Sequence, residues 1–158
     1  MFFSFLLYII PCLICLYPES PDEVDYHYTS TLLSQTGRIW FESKGDVIFR
    51  EEGFIPRHFS YNLNGKVVPY GSPGFIILLA FLKFLLPDFI EILINPLLAV
   101  VCVYLIYRIS KIIFDDEKKS LYASILFAIM PLTIRSAYSI IADLLNLTIF
   151  LITVLFIL

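Results

Sequence analysis

The chain has 158 residues, of which 59% are hydrophobic and 16% aromatic, and its mean hydropathy is +0.84. That composition lies far outside the soluble-domain range, so the solvent for most of the chain is lipid. The formal charge is only -3, with acids and bases confined to a few stretches, which leaves no basic stripe for nucleic acid.

Residues 1–17 are continuously apolar apart from Ser4, with Pro11 inside and no basic flank or small-x-small cleavage signal. They read as a retained first membrane helix; a cleaved signal segment is the alternative. Cys12, Cys15 and Cys102 all lie in apolar runs, where a thiol is a small apolar side chain, so the Cys-x-x-Cys spacing does not imply a redox or metal pair.

Residues 18–72 are chemically different, holding eight of the fourteen acids, five of the eleven bases, both histidines and the single tryptophan. They form a polar loop subdomain. Ser20 is placed as a helix N-cap, Pro21 at the first helical position, and Glu23 three residues after the serine, completing a capping box. The helix runs to about Thr36 and closes at Gly37. Beyond it, short aromatic and β-branched pieces predict extended segments with a turn near Asn64-Gly65.

Ser72-Pro73 repeats the cap signal and opens an apolar run over 74–86. As a helix of about 14 residues it reaches roughly 20 Å, short of the roughly 30 Å hydrocarbon core. It is expected along the membrane surface (residues 73–87), with Lys83 snorkelling to the headgroups. Residues 89–114 are long enough to cross despite Asn95-Pro96. Residues 120–136, containing Pro131, and 137–158, interrupted by Asp143 and Asn146, supply two further spans.

The fold class is therefore all-α integral membrane: about four transmembrane helices plus an extracytoplasmic loop subdomain with juxtamembrane helices. Arg108, Lys111, Lys118 and Lys119 gather at one short turn, which the positive-inside rule places in the cytoplasm. With the 73–87 helix on the surface, the N-terminus is cytoplasmic and the 18–72 loop extracytoplasmic in a multi-pass cell-membrane protein. The apolar ending T-V-L-F-I-L, without a polar flank, fits an incomplete bundle.

The order of these pieces resembles a family. An apolar first helix, the acidic pair in D-E-V-D-Y, the turn G-K-V-V-P-Y-G-S-P-G-F, the segment N-P-L-L-A-V-V-C-V-Y-L-I-Y-R-I-S-K-I-I-F, and A-S-I-L-F-A-I-M-P with a following Arg and Asp are similar to glycosyltransferases of the GT-C superfamily. The likeness is to the RgtA/B/C/D-like and dolichyl-phosphate-mannose protein mannosyltransferase groups, and it covers only their N-terminal part. Related aminoarabinose transferases carry a Glu-Lys pair before the proline of the surface helix. Gly71-Ser72 stands there in this chain, so that phosphate-contacting lysine is unmatched.

The resemblance implies sugar transfer from a polyprenyl-phosphate donor to an extracytoplasmic acceptor. Such chemistry needs a carboxylate to take the acceptor proton and cations to neutralise the departing phosphate. Asp22 and Glu23 are the candidate catalytic acids, Asp22 foremost because the capping box employs Glu23. Their bland alternative is the usual preference for acids at a helix start. Asp143 and Arg135 are candidate donor or acceptor contacts, or else an interhelical salt bridge. Arg57, His58, Lys66 and Tyr70 in the later loop are candidate phosphate contacts, or solvated loop residues. His27 and His58 lack zinc-site spacing; no cofactor is implied, and a divalent metal at Asp22 stays open. The sequon at Asn146 lies in an apolar span, away from modifying enzymes.

The expected partners are the lipid-linked sugar, membrane lipids and a C-terminal part encoded separately. The rival reading is a small non-enzymatic membrane scaffold or subunit. A transporter is disfavoured because no second half mirrors the first.

Overall fold

The computed structural model describes residues 2–14, 20–40, 60–63, 66–69, 71–86 and 90–158. The chain is predominantly helical: α1 (Phe2–Ile14), α2 (Pro21–Thr36), β1 (Ser60–Leu63), β2 (Lys66–Pro69), α3 (Pro73–Leu85), α4 (Ile90–Phe114), α5 (Glu117–Ala128), α6 (Pro131–Tyr138) and α7 (Asp143–Ile157). It divides into two compact units, one comprising Pro18–Glu91 and the other Met1–Tyr17 with Ile92–Leu158.

In the Pro18–Glu91 unit, α2 begins and ends where the sequence places it. The Ser20 side chain accepts from the Glu23 amide at 3.3 Å, and Gly37 closes the helix with φ 69°, its amide bonded to Leu33 O at 2.9 Å. β1 and β2 pair antiparallel on either side of Asn64-Gly65, with Leu63 opposite Lys66. Helix α3 packs along α2. Phe75 and Leu79 are fully buried, and the Tyr26 ring meets Phe75 edge-on at 5.2 Å.

In the other unit, α4 supplies the one helix among the described residues, Glu91–Phe114, that alone is long and apolar enough to cross a membrane. At 24 residues it reaches about 36 Å. The expected spans 120–136 and 137–158 are divided differently. Pro131 does not sit inside a helix; it starts α6, which bends 57° from α5, and a second break at 139–142 separates α6 from α7. Proline lacks an amide hydrogen and disfavours helical backbone in the residue before it, so the α5 ladder stops ahead of Pro131.

The two breaks free backbone carbonyls inside the unit, and buried side chains bond them. Tyr8 Oη donates to Ala128 O at 2.9 Å at the end of α5. Asn95 Nδ2 donates to Ser139 O and, at 3.0 Å, to Ile141 O between α6 and α7. Asn95 itself precedes Pro96, so the residue that interrupts the hydrophobic run of α4 is the one that bridges the second break. The core of this unit runs from Tyr8 through Ala99, Cys102 and Val103 to Ala137 and Leu144. Asp115, at φ 46°, takes the left-handed conformation that ends α4, and Asp116 caps α5 through the Lys118 and Lys119 amides.

Candidate functional site

The acidic pair is split by the fold. Asp22 is exposed on the first turn of α2, while Glu23 is buried and accepts a hydrogen bond from Ser20 Oγ at 3.0 Å. The capping interaction therefore engages Glu23 and leaves the Asp22 carboxylate facing outward at the positive end of the helix dipole.

Behind that turn, α2 is fixed by a buried ionic cluster. The Lys83 side chain is only 1% exposed; its ammonium donates to Thr31 Oγ1 at 2.7 Å and His27 O at 3.2 Å and forms an ion pair with Glu91 at 2.6 Å. The other Glu91 oxygen meets His27 Nδ1 at 2.5 Å; an ionised carboxylate only accepts, so that ring nitrogen carries the proton. His27 and Thr31 are one helical turn apart, which puts both on the α2 face toward Lys83. The expectation that Lys83 snorkels to headgroups is overturned: two hydrogen bonds and the Glu91 ion pair replace solvation of its charge.

The turn before α3 is equally tight. Ser72 N–H donates to Tyr26 Oη at 3.0 Å, and a Cβ on Gly71 would lie 2.8 Å from the Tyr26 ring. A side chain at position 71 and Tyr26 in this position exclude each other.

Lys66 lies over the Trp40 ring, Nζ 4.0 Å from the centroid, and the Arg38 guanidinium is 5.2 Å from the same ring. One indole thus gathers two cations within the Pro18–Glu91 unit. Arg57, His58 and Tyr70 lie outside the described residues.

Asp143 and Arg135 are both exposed, Asp143 in the first turn of α7 and Arg135 in the last turn of α6. The salt bridge considered for them is not formed: among the described residues the ion pairs are His27–Glu91, Lys83–Glu91 and Lys119–Asp116. The break at 139–142 puts each residue at a favourable helix end, an acid at the N-terminus and a base at the C-terminus, so neither requires the other. Among the described residues no three His, Cys, Asp or Glu side chains gather as a metal site, at Asp22 or elsewhere.

Sequence reasoning missed His27, Lys83 and Glu91 as a group. The available signal was an acid opening an apolar span eight residues after a lysine that closes an apolar helix. The cations on Trp40 were half-seen, through Lys66 alone. No protein-family model, curated protein or solved structure matches the chain.

Proposed function

We propose that the chain is the N-terminal part of a membrane glycosyltransferase of GT-C type, with Asp22 as general base for transfer from a polyprenyl-phosphate sugar. The observation that carries this reading is the division of labour in the acidic pair: Glu23 is committed to Ser20, and Asp22 is exposed on a helix anchored by buried charges. In this mechanism Asp22 takes the proton of the acceptor hydroxyl as its oxygen bonds to the anomeric carbon, and the carbon–phosphate oxygen bond breaks toward the phosphate. Lys66 and Arg38, gathered on Trp40, and Arg135 with Asp143, exposed at their helix ends, are the donor and acceptor contacts.

The membrane arrangement belongs to the same proposal. Residues 1–17, 89–114, the bent α5–α6 pair and α7 form four passes, the 73–87 helix lies at the surface, and 18–72 is extracytoplasmic. Support comes from the apolar length of α4, the bonding of freed carbonyls at both helix breaks, and the basic turn after α4. Cysteine variants at Lys44 and Lys118 test it. An impermeant reagent on intact cells should label Lys44→Cys alone, and the reverse pattern would discard the topology.

Activity is tested in membranes containing the chain together with the C-terminal helices of a transferase of this type. Asp22→Asn keeps the size of an exposed side chain and removes the base, so transfer should fall about 10²–10⁴-fold while accumulation is unchanged. Glu23→Gln should act more through the helix cap than through chemistry. Full transfer by Asp22→Asn in membranes where the natural chain is active would return the acidic pair to a helix-start role.

A further inference from the structure

The unit formed by Met1–Tyr17 and Ile92–Leu158 contains a cavity of about 320 Å³ that none of the proposed chemistry uses. Its walls include Ser4 of α1, Val103, Tyr104 and Tyr107 of α4, and Leu121 and Ile125 of α5. The volume lies at the low end of small-ligand sites, enough for part of one hydrocarbon chain. Leu121 and Ile125 are about half exposed, so the cavity opens along the outside of α5.

One end of this cavity is cationic. Arg108 Nη1 donates to the hydroxyl of the lining Tyr104 at 2.9 Å, which holds the guanidinium at the rim, 5.9 Å from the ring centroid. Lys111 follows one turn later on α4, and Lys118 stands in the first turn of α5. The intervening turn also carries Asp115, Asp116 and Glu117: Asp116 is bonded to two amides and lies 3.6 Å from Lys119, while exposed Asp115 and Glu117 form no ion pair with Arg108 or Lys111 among the described residues. Arg108 and Lys111 are both exposed, and neither forms an ion pair among the described residues.

We infer that this cavity is a binding site for an anionic diacyl phospholipid, one acyl chain lying against Tyr107, Leu121 and Ile125 and the phosphate on Arg108 and Lys111. A glycerophospholipid fits better than a prenyl lipid because the rim belongs to the basic turn, and basic residues beside a membrane span favour the leaflet rich in acidic phospholipid. The inference rests on membrane embedding and on the topology proposed above, but not on sugar transfer.

Native mass spectrometry of the full chain in detergent tests it, with phosphatidylglycerol and phosphatidylcholine of identical chains titrated separately. One phosphatidylglycerol should bind at least about fivefold more tightly than phosphatidylcholine, and Arg108→Gln should abolish that preference. Ile125→Trp, which fills the cavity from a half-exposed position, should remove binding of both lipids, whereas Leu126→Trp on the same helix should not. Leu121→Trp serves as the second filling variant if Ile125→Trp fails to accumulate. Equal affinity for the two lipids, undiminished binding by a folded filling variant, or displacement of phosphatidylglycerol by an equimolar polyprenyl phosphate would overturn the assignment. Because no turnover is read, failure here leaves the Asp22 mechanism standing, and loss of that mechanism leaves this site standing.

Discussion

The two units bury polar groups of different kinds. Glu23, Asp25, Lys83 and Glu91 are the buried charged residues among those described, and all lie in the Pro18–Glu91 unit. The other unit buries Asn95, Ser110, Ser120, Ser124, Thr133, Ser136, Ser139 and Thr148, none of them charged. Both units expose large apolar side chains, among them Phe81 and Phe84 on α3 and Phe114, Leu126, Phe150 and Phe156 in the other unit. A water-solvated unit can assemble a buried ion cluster from side chains that begin hydrated, whereas in lipid a neutral amide or hydroxyl corrects a freed carbonyl at lower desolvation cost. The contrast is the one expected if the proposed membrane arrangement holds, with the two units folding in different solvents.

The sharpest way to break that contrast is to remove one charge from the ion cluster. Lys83→Met leaves the Glu91 carboxylate buried with only the half-exposed His27 beside it, and should cost about 3–5 kcal/mol. The Lys83→Met/Glu91→Leu double variant should cost well under the sum of the singles, because no buried charge is left over. Trp40, the only tryptophan, lies in the same unit, so its fluorescence during denaturant unfolding reads the effect locally. Additive costs would show that the three groups do not act as a cluster.

The neutral corrections of the other unit should be worth less. Asn95→Leu leaves two carbonyls without a donor and should cost about 1–3 kcal/mol, and Tyr8→Phe, which leaves one, about 1 kcal/mol. Thermal unfolding in detergent, followed by circular dichroism, ranks them. An Asn95→Leu loss as large as that of Lys83→Met would erase the distinction between the two units.

The same two residues explain what was legible in the sequence. Signals carried by near neighbours were readable: Ser20, Pro21, Glu23 and Gly37 define α2 at both ends, and Asn64-Gly65 marks the hairpin. Signals carried by distant partners were not. The helix breaks at Pro131 and 139–142 depend on Tyr8, 120 residues from its acceptor, and on Asn95, 44 residues from the first of its own. Without those bonds, dividing 120–158 into two continuous spans is the economical reading. Lys83 misled for the same reason: a lysine near the end of an apolar helix suggests snorkelling until Thr31, His27 and Glu91 are brought to it. Within the candidate site, Asp22 was legible as a helix-start acid, but its exposure and the burial of Glu23 are set by tertiary packing that local sequence does not encode.

A steric variant probes the Pro18–Glu91 unit without touching a charge. Gly71→Ala brings a methyl to within 2.8 Å of the Tyr26 ring, so the ring must move and the Ser72 amide loses its acceptor. The cost should be about 1–3 kcal/mol, and Tyr26→Leu should relieve most of the steric part when combined with it. If Gly71→Ala is neutral on its own but destabilising in the Tyr26→Leu background, the close approach is not what makes glycine necessary at 71.

The smallest effect is expected at Asp116, in the exposed turn between α4 and α5. The Lys119 amide is the foremost cause holding this carboxyl below its ordinary range; slight desolvation opposes it, and the Lys118 amide and the Lys119 ammonium add to the lowering. A carboxyl depressed on folding contributes stability above its unfolded pKa and loses that contribution as pH falls through the folded value. The helix-cap contribution of Asp116 should therefore be complete at neutral pH and fade only in acid, below the ordinary aspartate range. Asp116→Asn retains the oxygen that accepts from Lys118 and Lys119 but cannot titrate, so its thermal unfolding should follow the parent at neutral pH and diverge in acid. Screening should matter little, because the first cause is hydrogen bonding to backbone amides and not the exposed lysine charge. An acid-dependent difference that vanishes in high salt would show that the Lys119 ammonium, and not the cap, sets the Asp116 carboxyl.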